Sequence, residues 1–359
     1  MSLAEATAAA TALWRSDVER RRFLIGASYA AAVYPAASMR WLTMPAPEHP
    51  TSCAGLRRIG QSDIDAVRKM NSAFRDLDNR VGGGKVRSTL VQYLHSSVAP
   101  LLRGSYTEPI GRQLFATTAE LTKLAGWAAY DLEEHGLAQR YLIQALRMSR
   151  AAGDAGLGAE ILAAMSHQAI YVGRPGDAID LARAARISAR SAGLAALESE
   201  CHVIEAHGHA ARADSSSCAG SLNAAQRAFA RAEGARPPWL EYFDEAYLSA
   251  KTAHCFRDTA RTARTARTAH FAERSLNMSD GYVRGRAFNL CLLASARADD
   301  DPHEAVRIST EALEIVSGLE SQRTLAYLRD LRHRLARYAT LPDVGRFRQQ
   351  VLAIARRAD

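Results

Sequence analysis

Lysine is scarce in this 359-residue sequence, which holds only four lysines among its 46 basic residues. The net charge is nevertheless +8, because all the other basic residues are arginines. Clustered positive charge favours nucleic-acid binding, but an arginine- and alanine-rich composition is also what a GC-rich genome produces. Charge alone therefore does not predict a DNA-binding surface, and we expect no direct sequence-specific DNA binding by this chain.

Long apolar runs and paired cysteines are missing too. No uninterrupted apolar stretch is long enough to span a bilayer, so we expect a soluble protein without a membrane partner. The five cysteines lie far apart and form no CxxC pair, which predicts free thiols in a reducing cytoplasm. Aromatic residues make up only 7% of the chain, which favours closely packed helices over sheets.

One segment near the N terminus favours export instead. Arg20–Leu24 (RRRFL) fits a twin-arginine signal, and the weakly apolar stretch Ile25–Ala37 follows it. However, Leu13 and Trp14 precede the arginines at helical spacing, and two tyrosines interrupt the apolar stretch. A buried first helix explains the same residues, and we therefore expect a cytoplasmic protein with an intact N terminus.

Motifs for catalysis and metal binding are absent. There is no GxSxG, HExxH or GK[ST] string, and the run Gly82–Gly84 predicts a helix end rather than a phosphate loop. Cys201, His202, His207 and His209 form the one metal candidate, but only His202 and His209 share a helix face. We expect neither catalysis nor a cofactor.

The sequence does contain an internal repeat. Small residues recur at intervals of 40, at Ala138, Ala178 and Cys218 and, seven positions later, at Ala145, Ala185 and Ala225. Small side chains at such positions are typical of the close helix crossing within a TPR unit. After an insertion containing Pro237 and Pro238, the pattern resumes. It predicts an all-α, TPR-like α-solenoid, a right-handed superhelix of five antiparallel helix pairs.

Three regions follow from this reading. We assign residues 1–54 to an N-terminal helical segment with a proline-rich connector, residues 55–111 to a helical lead-in and residues 112–355 to the solenoid. The lead-in helix is expected to begin at a capping pair formed by Ser62 and Asp65.

Several strings resemble a known family. LAGWAAYDLEEHGLAQRYLIQALRMSRAAGD (Leu124–Asp154), PPWLEYFDEAYL (Pro237–Leu248) and ESQRTLAYLRDLRHRL (Glu320–Leu335) resemble the C-terminal TPR, MalT-like sensor region of actinobacterial helix-turn-helix (XRE-type) transcriptional regulators. The resemblance implies a regulator linked to development or specialised metabolism, whose helical array senses a ligand or docks a partner. Because no room is left for a DNA-binding domain, it also implies a removed domain or a separate DNA-binding partner.

The repeat register predicts which residues face the ligand in the concave groove. It aligns Glu120, Glu160 and Glu200 at one position and Trp127, His167 and His207 seven residues later, with Lys123, Tyr130 and Arg257 completing the candidate groove. Carboxylates beside rings would suit a basic peptide or an amine-bearing ligand, and their replacement by glutamine should then leave folding almost unchanged. The alternative is that the glutamates stabilise the N termini of their own helices.

Arg257 also begins a basic stripe with Arg261, Arg264 and Arg267, which either meets an acidic partner or phosphates or forms a solvated outer face.

Three functions remain open at this point. The first is a sensor of a peptide, small molecule or protein, the second a protein–protein scaffold and the third an enzyme built on a helical array. An enzyme should bring titratable groups together in a closed pocket, whereas a sensor should show an open groove with recurring side chains.

Overall fold

The computed structural model describes residues 3–19, 28–44, 50–52, 55–259 and 265–358. Every regular element in these ranges is helical, and extended pairing is limited to the isolated bridges Ser52–Tyr106 and Arg58–Ser105. The prediction of an all-α protein is therefore confirmed. No helix in the described ranges is long and apolar enough to cross a membrane. The twin-arginine segment Arg20–Leu24 lies outside the described residues.

Sixteen helices are present in the described part of the chain. The first four are α1 (Leu3–Val18), α2 (Val33–Thr43), α3 (Gln61–Val81) and α4 (Gly83–Tyr93), which continues through a π-helical turn (Leu94–Val98) into Ala99–Leu102. The next six are α5 (Glu108–Asp131), α6 (His135–Ala152), α7 (Ala155–Tyr171), α8 (Pro175–Ser191), α9 (Ala195–Ala211) and α10 (Ser215–Ala230). The last six are α11 (Glu245–Asp258), α12 (Thr265–Arg274), α13 (Val283–Arg297), α14 (Pro302–Ser317), α15 (Gln322–Arg334) and α16 (Pro342–Ala358).

From α5 onward each odd-numbered helix packs against the even-numbered helix that follows it, and the odd-numbered helices also pack against one another. The sequence pattern predicted five such pairs, but α15 and α16 form a sixth. The odd-numbered helices form an inner layer, and the even-numbered helices lie outside it. This helical, repeat-like arrangement places corresponding residues of successive pairs side by side.

The 40-residue period is visible in the helix boundaries. α7 begins at Ala155 and α9 at Ala195, while α8 begins at Pro175 and α10 at Ser215. The turns between these helices repeat every 20 residues and place one residue in the left-handed region, with φ between 59° and 74°, at Glu133, Gly153, Gly173, Gly193 and Ala213. The small residues of the repeat are all buried, as the close helix crossings require.

The N-terminal helices pack on the outside of the first pairs. Trp14 of α1 is fully buried, which confirms the prediction of a buried first helix. On α2, the Trp41 indole nitrogen donates to Ser188 Oγ at 2.8 Å. The Trp41 ring covers Gly158, where a Cβ would lie only 2.1 Å away. A side chain on residue 158 would therefore displace α2.

The start of α3 differs from the prediction. The helix begins after Gly60, whose backbone N–H donates to the Asp63 carboxylate at 3.0 Å. The cap thus lies two residues before the expected pair Ser62 and Asp65, because glycine adopts the extended N-cap conformation at little cost and Asp63 closes the turn.

The two ends of the inner layer meet. Gly84 N donates to Glu320 O at 2.9 Å, and Glu320 N donates to Val81 O at 3.0 Å. A Cβ on Gly82 or Gly84 would lie 2.7 Å from Glu320, so this approach needs glycine at both positions. The predicted helix end is confirmed only for Gly82, which follows α3, whereas Gly83 and Gly84 begin α4. The run also provides a docking point for a segment more than 230 residues away.

A buried ion-pair cluster reinforces this closure. Arg284 of α13 donates to both carboxylate oxygens of Asp78 on α3, at 2.7 and 3.0 Å, and to Asp131 of α5 at 3.1 Å. Ser321, just before α15, donates to the same Asp131 at 2.9 Å. The inner helices therefore line a central space that is partly open to solvent.

Candidate functional site

A cavity of about 230 Å³ lies at the centre of the inner layer. Every odd-numbered helix from α3 to α15 contributes to its wall, and so does the loop between α10 and α11. The space is many times larger than a single buried water requires. Its size and its mixed polar and aromatic wall are those of a small-molecule site.

The structure brings most of the predicted groove residues to this cavity. Six of them line it, namely Glu120, Lys123, Trp127, Glu160, His167 and Glu200. The other three lie beside or behind the wall: Tyr130 bonds to His167, whereas His207 and Arg257 both pair with Asp258, at 2.9 and 2.8 Å.

The basic stripe has only two described members, Arg257 and Arg267. Arg257 is paired with Asp258, and the guanidinium of Arg267 lies 4.2 Å from the centre of the Phe256 ring. Arg261 and Arg264 lie outside the described residues.

The first two glutamates of the aligned series are neutralised across helices. Glu120 accepts from Arg75 at 2.9 Å and from Asn71 at 2.7 Å, both on α3. Glu160 on α7 forms an ion pair with Lys123 on α5. The glutamates therefore join neighbouring helices instead of stabilising the ends of their own. Glutamine at these positions should cost stability, contrary to our expectation from the sequence.

The third glutamate shares a phenol with the second. The Tyr242 hydroxyl lies within 2.8–2.9 Å of the carboxylate oxygens of both Glu160 and Glu200. A phenol has one proton to donate, so the second contact requires a protonated carboxyl group. Burial, and after it the charge of Glu160, holds the pKa of Glu200 well above its usual range. Because Glu160 is already paired with Lys123, Glu200 is the protonated partner.

Lys251 of α11 faces these carboxyl groups across the cavity. It is buried and contacts the Nε2 atom of His167, whose Nδ1 atom lies 3.0 Å from the Tyr130 hydroxyl. Burial, followed by the nearby charge of Arg323, lowers the pKa of Lys251 to about 7. Burial, followed by Lys251, lowers the pKa of His167 well below its usual range. Burial on this side of the cavity therefore favours the uncharged forms of Lys251 and His167.

Two polar atoms in the same wall have no hydrogen-bond partner within the described ranges. They are Nε of Arg323 and Nδ1 of His254. Both side chains are more than nine-tenths buried and line the cavity. The Arg323 guanidinium lies 4.1 Å from the centre of the Tyr130 ring and 3.8 Å from Asp131. Buried polar groups are normally hydrogen-bonded, and these two side chains are the lining residues in the described ranges that keep such an atom without a partner.

The histidines of the metal candidate point to different partners. His202 lies 3.8 Å from both Glu198 and Glu205, and His207 stacks on His254 with ring centres 5.6 Å apart. Among the described residues, no group of three or more His, Cys, Asp or Glu side chains is arranged to hold a metal ion.

Sequence reasoning missed the side of the cavity formed by α11, α13 and α15. Tyr242, Lys251, His254 and Arg323 all lie after the insertion, where the 40-residue register ends. Tyr242 and Arg323 fall within strings that carried the family resemblance, and this was the only available signal.

Comparisons with protein-family models, with curated proteins and with solved structures give no match for this chain.

Proposed function

We propose that this chain is a receptor that encloses a small charged molecule at the centre of its helical ring and works as a ligand-sensing regulatory protein. The observation that carries the proposal is the central cavity, whose wall combines contributions from both ends of the helical series with the buried basic side chains of Arg323, Lys251 and His254. The cavity of about 230 Å³ is partly open to solvent and suits a small molecule or the end of a peptide.

The ligand chemistry follows from the two sides of the cavity. Arg323, with Lys251 and His254 beside it, supports binding of a carboxylate or phosphate, because arginine is the preferred partner of such groups. The aromatic rings of Trp127 and Tyr247 line the space between the two sides and suit a flat or apolar body. Glu200 can accept from or donate to a polar group at the opposite end.

Ligand binding would act on the closure between α3 and α13. A molecule that contacts both ends of the inner layer stabilises the closed ring by its differential affinity for that state. An open ring would expose surfaces that the closed ring hides, and a partner could distinguish the two. The partner protein would therefore detect whether the cavity holds a ligand by binding the open and closed states differently.

The regulatory role rests on the resemblance to TPR, MalT-like sensor regions, together with the 40-residue helical period. We propose that the helix pairs are of TPR type and wind as a right-handed solenoid that closes on itself. A separate DNA-binding protein is the partner that this role requires. Buried free thiols at Cys201, Cys255 and Cys291 support a cytoplasmic location.

A second candidate function is catalysis in the same cavity. It is favoured by the convergence of titratable groups with shifted pKa values, above all Glu200, His167 and Lys251. A scaffold without ligand sensing is less well supported, because a purely structural protein does not need unsatisfied polar atoms around an internal cavity.

The receptor proposal is tested by thermal unfolding of the full chain. A cell extract is divided by ultrafiltration into a small-molecule filtrate and a macromolecular retentate. We expect the filtrate to raise the melting temperature, since a ligand at a hundred times its Kd adds about 2.7 kcal/mol to the unfolding free energy. Native mass spectrometry then identifies the bound species. If the retentate alone stabilises the chain, a small-molecule receptor is the wrong assignment.

A further inference from the structure

We propose that Lys251 is a covalent attachment site for a carbonyl compound, and that it captures an aldehyde or ketone that also carries an anionic group. This inference rests on the proposed function, because it specifies how the same cavity holds its ligand. The geometry that points to it is an amine that faces the cavity, contacts a neutral imidazole and has acid groups within the same enclosed space.

One tautomer of His167 matches a neutral Lys251 amine. We assign the Tyr130 hydroxyl as donor to His167 Nδ1, because its proton has no other acceptor in the described residues. Nδ1 then carries no hydrogen, so in a neutral imidazole the proton resides on Nε2. That N–H faces Lys251 Nζ and needs a lone pair to accept it. An ammonium group has none, whereas a free amine does.

The surroundings of Lys251 preserve this state. Within the described ranges no carboxylate lies at ion-pair distance from its amine. Glu200 has the largest electrostatic influence on Lys251 of any acid, and its raised pKa keeps it protonated. The titratable and charged groups that act on Lys251 or contact it are His167 on α7, Glu200 on α9, His254, Cys255 and Arg257 on α11 and Arg323 on α15. Burial is the largest cause of the lowered pKa of Lys251; Arg323 and Arg257 lower it further, whereas Glu200 and Cys255 raise it.

The chemistry balances without any further reagent. The Lys251 nitrogen attacks the carbonyl carbon and forms a C–N bond, while the carbonyl oxygen takes up a proton and the nitrogen loses one. The resulting carbinolamine loses water and becomes an imine, so one amine and one carbonyl compound give one imine and one water. Protonated Glu200 supplies the acid that this dehydration needs, and it regains its proton as the nitrogen is deprotonated.

The basic side chains beside Lys251 define the rest of the captured molecule. Arg323 and His254 are both buried and line the same cavity. An anionic group held there would place the remainder of a short carbonyl compound beside the amine. A carboxylate and a phosphate both meet this requirement, and the experiment separates them.

The test is reductive trapping on the full chain. The protein is incubated with glyoxylate, with glyceraldehyde 3-phosphate or with uncharged propionaldehyde, then treated with cyanoborohydride, and the adducts are located by peptide mapping. The chain has only four lysines, so Lys69, Lys85 and Lys123 are internal controls. We expect Lys251 to react about tenfold or more faster than exposed Lys69 near pH 7, because few ordinary lysine amines are unprotonated there.

Two further readouts sharpen the result. Trapping at Lys251 should rise through a pH of about 7, where its amine loses its proton, and Lys251→Arg should abolish the adduct while the chain still unfolds cooperatively. One of the two anionic aldehydes should outcompete propionaldehyde, and Arg323→Met should remove that preference. Equal labelling of all four lysines, or no adduct on Lys251, would overturn the inference.

A further measurement separates a failure of the covalent step at Lys251 from a failure of the receptor proposal. The melting temperature is also measured without reductant, in the presence of glycolate and glycerol 3-phosphate, which keep the anionic group but have no carbonyl. If these stabilise the chain and Lys251 still gives no adduct, the covalent step is wrong and the receptor stands. If the small-molecule filtrate also has no effect, the receptor itself is wrong.

Discussion

The two sides of the central cavity are built on different principles. On α5, α7 and α9, acidic side chains recur at identical positions of a regular repeat, and each has a partner within the chain. On α11, α13 and α15 the spacing is irregular, and polar atoms of His254 and Arg323 have no partner in the described residues. The regular side thus holds neighbouring helices together, and we propose that the irregular side recognises the ligand. A repeated side chain is not necessarily a binding side chain.

The largest effect should come from breaking the contact that joins the two sides. Arg284→Met leaves the buried carboxylates of Asp78 and Asp131 without their shared guanidinium. Removing one member of a buried ion pair typically costs about 3–5 kcal/mol, and we expect a loss of this size in urea unfolding. Arg307→Met, which removes an exposed partner of Glu304, is the matched control and should have little effect. Similar losses in both variants would mean that the ends of the ring do not depend on each other.

The second-largest effect should be a dependence of stability on pH that comes from Lys251. The pKa of Lys251 is about 7 in the folded chain against 10.5 for an ordinary lysine, so between these values the unfolded chain binds the extra proton. The stability of the wild type should therefore rise with pH relative to Lys251→Met, by about 1.4 kcal/mol per pH unit above 7. Urea unfolding at pH 7, 8 and 9 measures this, with Lys69→Met as the exposed control. A constant difference between wild type and Lys251→Met would place the amine in an ordinary environment.

Within the acidic series, Glu160→Gln and Glu200→Gln should lower the free energy of unfolding by different amounts. Glu160→Gln leaves the partly buried Lys123 without its carboxylate and should cost about 1–3 kcal/mol. Glu200→Gln replaces a carboxyl group that is already protonated and should cost less. Because the folded chain retains the Glu200 proton, the stability of the wild type should fall relative to Glu200→Gln as the pH rises above 4.5. Equal costs, or the opposite pH trend, would assign the shared proton to Glu160.

The smallest change in stability is expected from substitutions in the turns between the helices. Gly173 and Ala213 occupy equivalent left-handed positions, but alanine is strained there. Ala213→Gly should stabilise the chain, and Gly173→Ala should destabilise it, each by about 0.5–1 kcal/mol. No atom lies within 4 Å of the position that a Cβ on Gly173 would take, so the backbone alone accounts for the change. Changes of the same sign in thermal unfolding would show that the two turns are not equivalent.

The sequence was sufficient to predict the structural features that depend on local periodicity. Small residues at Ala138, Ala178 and Cys218 predicted the helix crossings, and the same register brought Glu120, Glu160 and Glu200 to one surface. Closure of the ring could not be predicted in this way, because Arg284 meets Asp78 across 206 residues and neither residue type carries a local signal. The partners of the glutamates were missed for the same reason.

The repeat pattern also could not predict which residues form the irregular side of the cavity. The insertion before α11 breaks the register, so nothing in the spacing aligned Lys251 or Arg323 with the earlier helices. Tyr242 lies in the loop between α10 and α11, outside the helical register, although its hydroxyl bridges two carboxyl groups. A buried tyrosine or lysine is recognised from what surrounds it in three dimensions, and no single-sequence pattern gives that.

Hydrogen–deuterium exchange of the full chain, with and without the small-molecule filtrate, tests most directly whether a ligand enters the ring and binds its irregular side. We expect slower exchange in α3, α11, α13 and α15, whose side chains meet at the cavity and the closure, and little change in the outer helices α8 and α10. Protection confined to the outer helices, or a rise in melting temperature without any protection of α11 and α15, would contradict a ligand bound at the centre.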